Sequence, residues 1–331
     1  MKKSALYLMV LGLCLLAVVG CSSAAPAEEQ AAAEAPAAEQ AAAPAAAEAS
    51  GDGAYHEAPM LAEMVAAGEL PPVEERLPAD PLVVTPLNEI GTYGGEQRGA
   101  AFGPRTGQLD TEALRMQSLL FIEPDLVSLS PNILAGYEAS ADKKTWTLTL
   151  RSGMKWSDGE PFTADDFVFW YEDILLNTDL TPAISAVYMA GDQPMTVSKI
   201  DDITVQVDFA EANPNFDLTM SKSHWNDRMY APKHYLQQWH SKYNDQADEL
   251  AKSENFETWV LAFQYHDDHT QGQQDTSLPD VTPWVLTSID ELGNKNFTRN
   301  PITGPSTPRA INCPISTARS PCSYRMRRYA H

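Results

Sequence analysis

One stretch limits what this chain can fold into more than any other: "TWTLTLRSGMKWSDGEPFTADDFVFWYEDIL", residues 145–175. Its first part alternates Trp146, Leu148 and Leu150 with Thr145, Thr147, Thr149 and Arg151. A period of two with threonines on one face predicts a half-buried strand, and "GYEASADKKTWTL" predicts a hairpin turning across Asp142–Lys143. "MKW" is read as the end of that strand, and Ser157-Asp158-Gly159 has tight-turn chemistry, with glycine where positive φ is wanted. Thr163 then fits a helix N-cap with Asp166 reaching back as in a shortened capping box, and Phe162 and Phe167 have the spacing of a hydrophobic staple. Phe167, Trp170, Tyr171, Ile174 and Leu175 form the expected buried stripe.

The acids of this block invite a catalytic or metal reading, and the local chemistry opposes it. Asp165 and Asp166 sit where the helix's partial positive charge favours carboxylates, by a few tenths to about 1 kcal/mol each. Asp158, Glu160, Asp165 and Asp166 lack the spacing of a calcium loop, and no two carboxylates are left facing one substrate. Trp156, Asp158, Gly159, Thr163 and Asp166 are therefore assigned to structure, with no metal and no cofactor.

The rest of the body, about residues 80–300, reads as mixed α and β. "TYGGEQRGAAF" (92–102) and "DITVQVDF" (202–209) are expected strands, and "EALRMQSLLF" (112–121) and "APKHYLQQWHSKY" (231–243) expected helices. "PWVLTSIDELGNKNFTRN" (283–300) is an expected hairpin. His266-x-x-His269 beside Asp267 and Asp268 could suggest a metal clip, but its Gln-rich surroundings predict an exposed loop. His234 and His240 are read as packing or solvated histidines. No G-x-S-x-G, H-E-x-x-H, C-x-x-C or P-loop occurs, so the chain is not read as an enzyme.

The ends divide the chain. Lys2 and Lys3, an apolar run over residues 5–19 and the exit Val18-Val19-Gly20-Cys21 make residues 1–20 a signal peptide, too short for the about 20 residues a permanent span needs. The exit resembles a bacterial lipobox, which implies lipidation of Cys21. Residues 21–78, rich in Ala, Pro and Glu at their start, are expected to be a disordered tether. Of the 4 cysteines, Cys14 leaves with the signal and Cys313 and Cys322 lie near the far end, so the body has no disulfide framework. A net charge of -22 leaves no basic stripe for nucleic acid.

With these residues in view, residues 145–175 resemble the signature of the family 5 extracellular solute-binding proteins of ABC importers, which include oligopeptide- and dipeptide-binding proteins. That pattern runs strand, Leu-Arg-x-Gly, Lys-Trp-Ser-Asp-Gly-x-Pro, Thr-Ala-x-Asp, helix. "TYGGEQRGA", "IDDITVQVDF", "APKHYL" and "PWVLTSIDELGNKNFTRNP" follow in the family's order. The resemblance implies an α/β, periplasmic-binding-protein-like first lobe (type II) over residues 79–301, with the second lobe missing. It implies a monomer held outside the membrane by lipid on Cys21, taking up peptides or a similar small solute for a permease. An oligosaccharide ligand and a surface adhesin or structural role are the alternatives. First-lobe ligand contacts are expected from the loop holding Phe102 and Gly103 and from Tyr188, with Trp225 and Trp284 as weaker candidates. Each of these has an equally plain reading as surface loop or core.

Family members continue after Asn300-Pro301 with a Tyr-Tyr-Trp run that is absent here. One synonymous coding of residues 301–319, read two bases later, gives Tyr-Tyr-Trp-Ala-Val-Asp-Thr-Glu-Gly-Asn-Gln-Leu-Pro-Tyr-Ile-Asp-Arg. Residues 302–331 are therefore expected to be an out-of-frame tail, and their composition fits: Arg309, Arg319, Arg325, Arg327 and Arg328 stand there without an acid. With one lobe only, weak or absent ligand binding is the expectation.

Overall fold

The computed structural model describes residues 57–83, 96–101, 117–222, 228–270, 272–302 and 323–328. Its centre is the strand that the alternation predicts, and the first five strands are β1 (Glu96–Ala101), β2 (Leu120–Ile122), β3 (Leu129–Pro131), β4 (Leu134–Ala139) and β5 (Thr145–Leu150). Trp146, Leu148 and Leu150 are all buried while the threonines between them are half-buried. On that outer face the Thr145 hydroxyl donates to Asp208 Oδ1 at 2.6 Å. The β4–β5 hairpin turns where expected, with Lys143 at φ 57. Ser140 Oγ and Asp142 Oδ1 both accept the Lys144 N–H there, each at 3.2 Å.

β8 (Thr196–Asp201) and β9 (Thr204–Asp208) complete an antiparallel sheet in the order β4-β5-β9-β8. The register sets Trp146 against Val207 and Leu148 against Val205, so the apolar faces coincide. Helical segments cover this face, and one large apolar cluster runs from Leu119 through the signature rings to Val281.

A second sheet holds β1, β10 (Trp284–Ile289), β11 (Lys295–Arg299) and β12 (Ser323–Arg328) in the order β1-β12-β11-β10. β10 and β11 form the expected hairpin. Their apolar cluster is small and separate: Trp284, Leu286 and Phe297, with Ile289 against it. Among the described residues, the region expected as a single lobe thus carries two four-stranded sheets, each with its own apolar cluster, beside the two-stranded pairs β2–β3 and β6 (Met189–Ala190) with β7 (Gln193–Pro194). Within the expected tail, residues 323–328 pair with β11 antiparallel and with β1 in parallel. Backbone pairing asks little of side chains, so open strand edges accept such a segment.

Several expectations are corrected. The strand ends at Leu150; Gly153, at φ 76, turns the chain, and Lys155 reaches Pro161 only as an isolated bridge. The signature helix is α-helical over Ala164–Phe169 and π-helical over Trp170–Leu175. In "EALRMQSLLF", Leu120 and Phe121 belong to β2, and residues 112–116 lie outside the described residues. The helix expected over 231–243 is α-helical only at Lys233–Leu236, turns 3-10 over Gln237–Trp239 and breaks at His240. There the His240 ring takes up the Lys242 N–H at 3.1 Å, which a continuing helix would have used.

The tether boundary also moves. α1 (Pro59–Ala66) and α2 (Val73–Arg76) are ordered helices, and Leu61, Val73, Arg76 and Leu77 are buried. Proline at the start of α1 suits a first helical turn, whose N–H groups have no partner within the helix. Residues 57–78 thus belong to the folded body.

Candidate functional site

The signature residues meet around one carboxylate. Thr163 caps the helix Ala164–Phe169: its hydroxyl accepts the Asp165 N–H at 3.3 Å, and Asp166 Oδ2 accepts the Thr163 N–H at 2.9 Å, closing the capping box. Asp166 Oδ2 also accepts the Trp156 indole N–H at 3.2 Å, and Oδ1 the Lys233 N–H at 3.3 Å. The Asp166 backbone carbonyl accepts the Ala231 N–H at 3.2 Å. Burial pushes the Asp166 carboxyl up to about 6, against three donors that favour its ionised form, so it is charged at neutral pH.

Around it, the staple pair Phe162 and Phe167 meet edge to face at 5.8 Å, and both pack on Tyr230. Gly159, at φ 95, makes the turn, and its N–H donates to the Trp156 carbonyl at 3.0 Å. Asp158 Oδ2 lies 2.8 Å from His234 Nε2. Burial works against the charge on both partners, but their mutual hydrogen bond prevails, holding Asp158 below and His234 above its ordinary value. Ser157 ties this turn to the chain entering the second sheet: its N–H donates to the Asp280 carbonyl at 2.9 Å, and its Oγ accepts the Asp280 N–H at 3.0 Å.

The histidine pair is not an exposed loop. His266 and His269 are both buried because each is bound to side chains distant in sequence. His266 Nδ1 lies 2.6 Å from Asp275 Oδ2 and Nε2 lies 2.9 Å from Glu254 Oε2, with Trp239 stacked at 3.5 Å. Both ring nitrogens face carboxylates, so neither is open to act as a base. His269 Nδ1 takes a hydrogen bond from Arg228 at 2.8 Å, and Arg228 also meets Asp280 at 3.2 Å. His240 Nδ1 accepts a backbone N–H, so its Nε2 carries the proton and donates to the Asp173 carbonyl at 3.1 Å. Asp173, buried in the π-helical turn, accepts from Lys242 Nζ at 2.6 Å and Tyr243 Oη at 2.5 Å. Among the described residues, no group of three or more His, Cys, Asp or Glu is placed to hold a metal ion. None of their helices is long and apolar enough to cross a membrane.

Two of the sequence-based ligand candidates are described, and they lie in different apolar clusters. Tyr188 is 2% exposed and packs edge-on against Trp170, and Trp284 is 3% exposed in the smaller core. Both rings serve packing in this structure, the plainer of the two readings that the sequence left open. Phe102, Gly103, Trp225 and Cys21 lie outside the described residues. Sequence reasoning missed the Arg228–Asp280 pair, the buried Asp173 and the buried Arg76. For Asp173 the visible signal was an acid in the apolar run "FVFWYEDILL"; Arg76 and Arg228 each follow acidic or polar residues and gave none.

Comparison with known proteins decides what this scaffold is. Residues 128–277 match the middle region of the bacterial extracellular solute-binding proteins, family 5. Over that stretch the chain is similar to the members of that family. The chain is 34% identical over 209 residues to a periplasmic alpha-galactoside-binding protein of Rhizobium meliloti (strain 1021), covering 57% of this chain and 30% of that protein. It superposes on an oligopeptide-binding protein OppA with a TM-score of 0.74 at 32% identity, covering 82% of this chain and 41% of the other. On the periplasmic binding protein MelB of Agrobacterium fabrum C58, solved with stachyose, the TM-score is 0.67 at 25% identity, with 83% and 41% covered. The chain thus spans well under half the length of each of these proteins. The family is one of substrate-binding proteins rather than enzymes, and its signature in this chain is the scaffold around Asp166.

Two outcomes follow from this geometry. Asp166→Asn turns an NH2 group toward donors that now meet oxygen, and it is expected to lower stability in urea denaturation by about 1–3 kcal/mol. A change under about 0.5 kcal/mol would show that Asp166 organises nothing. The stabilisation that His234 gains from Asp158 is fully present below about pH 6.5, the ordinary histidine value, and is lost as pH rises through its elevated value. In NMR titration, Asp158→Asn is expected to drop the His234 midpoint below that of the parent protein, since burial then acts without its counter-charge.

Proposed function

We propose that this chain is part of the substrate-binding component of an ABC importer, which captures peptides outside the membrane and passes them to the permease. The observation that carries the reading is the superposition on the oligopeptide-binding protein OppA across 82% of this chain. It is supported by the signature block, whose turn, cap and staple are all formed. Lipid on Cys21 would hold the protein at the membrane, with residues 22–56 as the tether. Phe102 and Gly103, in the loop that follows β1, are the proposed ligand contacts on this part of the protein. Tyr188 and Trp284 would support such a site from within the core.

A second reading is favoured by one observation. The alignment to the alpha-galactoside-binding protein runs over 209 residues, and the stachyose-bound MelB superposes over a similar share of this chain. An oligosaccharide could therefore be the solute in place of a peptide. Hydroxyl-rich and amide-rich ligands both suit a cleft with a few placed polar groups and aromatic walls.

Uptake by the native organism separates the two. Deleting the coding region is expected to cut import of labelled tri- to pentapeptides at least tenfold and to leave stachyose import unchanged. The reverse result transfers the reading to oligosaccharides, and unchanged import of both refutes a transport role. For the anchor, labelled palmitate is expected to appear on the wild-type protein and to disappear with Cys21→Ser. Label persisting in that variant would rule out lipidation at Cys21.

A further inference from the structure

Among the described residues, one fully buried cation outside the family signature is bound at every guanidinium nitrogen. The Arg76 side chain is fully buried at the end of α2, and every part of its guanidinium has a partner. Nε donates to the Pro71 carbonyl at 2.9 Å, Nη1 to the Pro301 carbonyl, and Nη2 to the Glu57 carboxylate. The three acceptors come from the loop between α1 and α2, from the residue just after the second sheet's hairpin, and from the residues before α1.

The same segment grips the first sheet's exit. The Ala79 N–H donates to the Ser152 carbonyl, Arg151 Nη1 to the Asp80 carbonyl and Lys155 Nζ to the Glu75 carbonyl, each at 2.9 Å. Residues 151–155 leave β5 and lead into the signature turn. Pro301 follows β11 at the far side of the crossover near Asp280. Leu61, Val73 and Leu77 are buried yet stand outside both apolar clusters. Besides that burial, directional polar contacts tie the segment to the chain leaving β5 and to the residue after β11.

We propose that residues 57–80 are a strap that fixes the relative orientation of the two sheets, with Arg76 as its clasp. Besides the chain crossings, the two hydrogen bonds between Ser157 and Asp280 already tie the signature turn to the chain that enters the second sheet. The strap adds a third connection that touches the exit of β5 on one side and the exit of β11 on the other. Removing the guanidinium would take the donor from the Pro71 and Pro301 carbonyls and from the Glu57 carboxylate at once, and release the contacts that hold the end of α2 to the residue after β11. The inference concerns how the body is held together and stands whatever solute the protein carries.

Hydrogen exchange of the full chain, read by mass spectrometry, tests this. Arg76→Ala is expected to speed exchange at least tenfold in peptides covering 57–78 and also in those covering 151–157 and 284–302. Peptides covering 145–150 and 204–208 should not change. Faster exchange confined to 57–78 would make the segment a local cap and overturn the proposal. Arg76→Lys keeps the charge with fewer donors and should give a smaller rise in the same three regions. Uniform acceleration that includes 145–150 in both variants would also overturn it, by showing a general loss of stability in place of a released strap.

Discussion

A turn, the helix start that follows it and a segment 67 positions further along need a common acceptor, and the Asp166 carboxylate is that acceptor. The indole of Trp156 brings the turn to it, the Thr163 N–H brings the start of the helix, and the Lys233 N–H brings the chain returning from the other side. Without it, three donors would be buried or nearly so with no partner, and each such loss costs more than a formed hydrogen bond contributes. The aromatic packing of Phe162, Phe167 and Tyr230 assumes that these segments already meet. Burial opposes the charge on Asp166, lifting its carboxyl to about 6, and the three donors keep it ionised near neutrality. The group is thus costly to bury and more costly to replace.

This arrangement separates what identifies the protein from what works in it. The block that marks the family 5 solute-binding proteins is a scaffold: its acids cap, turn and pair. Its histidine partner His234 is engaged by Asp158, and the other described histidines are held by carboxylates, carbonyls or Arg228. On the proposed reading, recognition of a solute would fall to residues outside this scaffold. Relatives that carry a galactoside and an oligopeptide on one scaffold fit that division.

Local chemistry was legible in the sequence. The alternation at Trp146, Leu148 and Leu150, the Thr163 cap, the Phe162–Phe167 staple and the β10–β11 hairpin each follow from residues a few positions apart. What escaped was set by partners far along the chain. His266 and His269 looked solvated because Glu254, Asp275, Arg228 and Asp280 are nine or more positions away from the histidine each meets. Residues 57–78 looked like tether because the Pro301 carbonyl that receives Arg76 is 225 positions away. The expected ligand residues divide between two buried rings and positions outside the described residues, so the candidate site is less legible than the fold.

The widened turn at Trp170–Leu175 has a consequence for how this region compares with its relatives. A π-helical turn closes its hydrogen bonds over one more residue than an α-helical turn, so it accommodates an inserted residue without lengthening the helix axis by a full step. Here the Asp173 carbonyl is taken by His240 and the Ile174 carbonyl by Thr181, which frees the turn to widen. A lineage lacking that residue would run the same stretch as plain α-helix, with the chain beyond it facing as it does here and only the turn itself changed. In an alignment of the family, a one-column gap between Trp170 and Leu175 should therefore leave the flanking residues in register and alter only the turn that presents Asp173 to Lys242 and Tyr243.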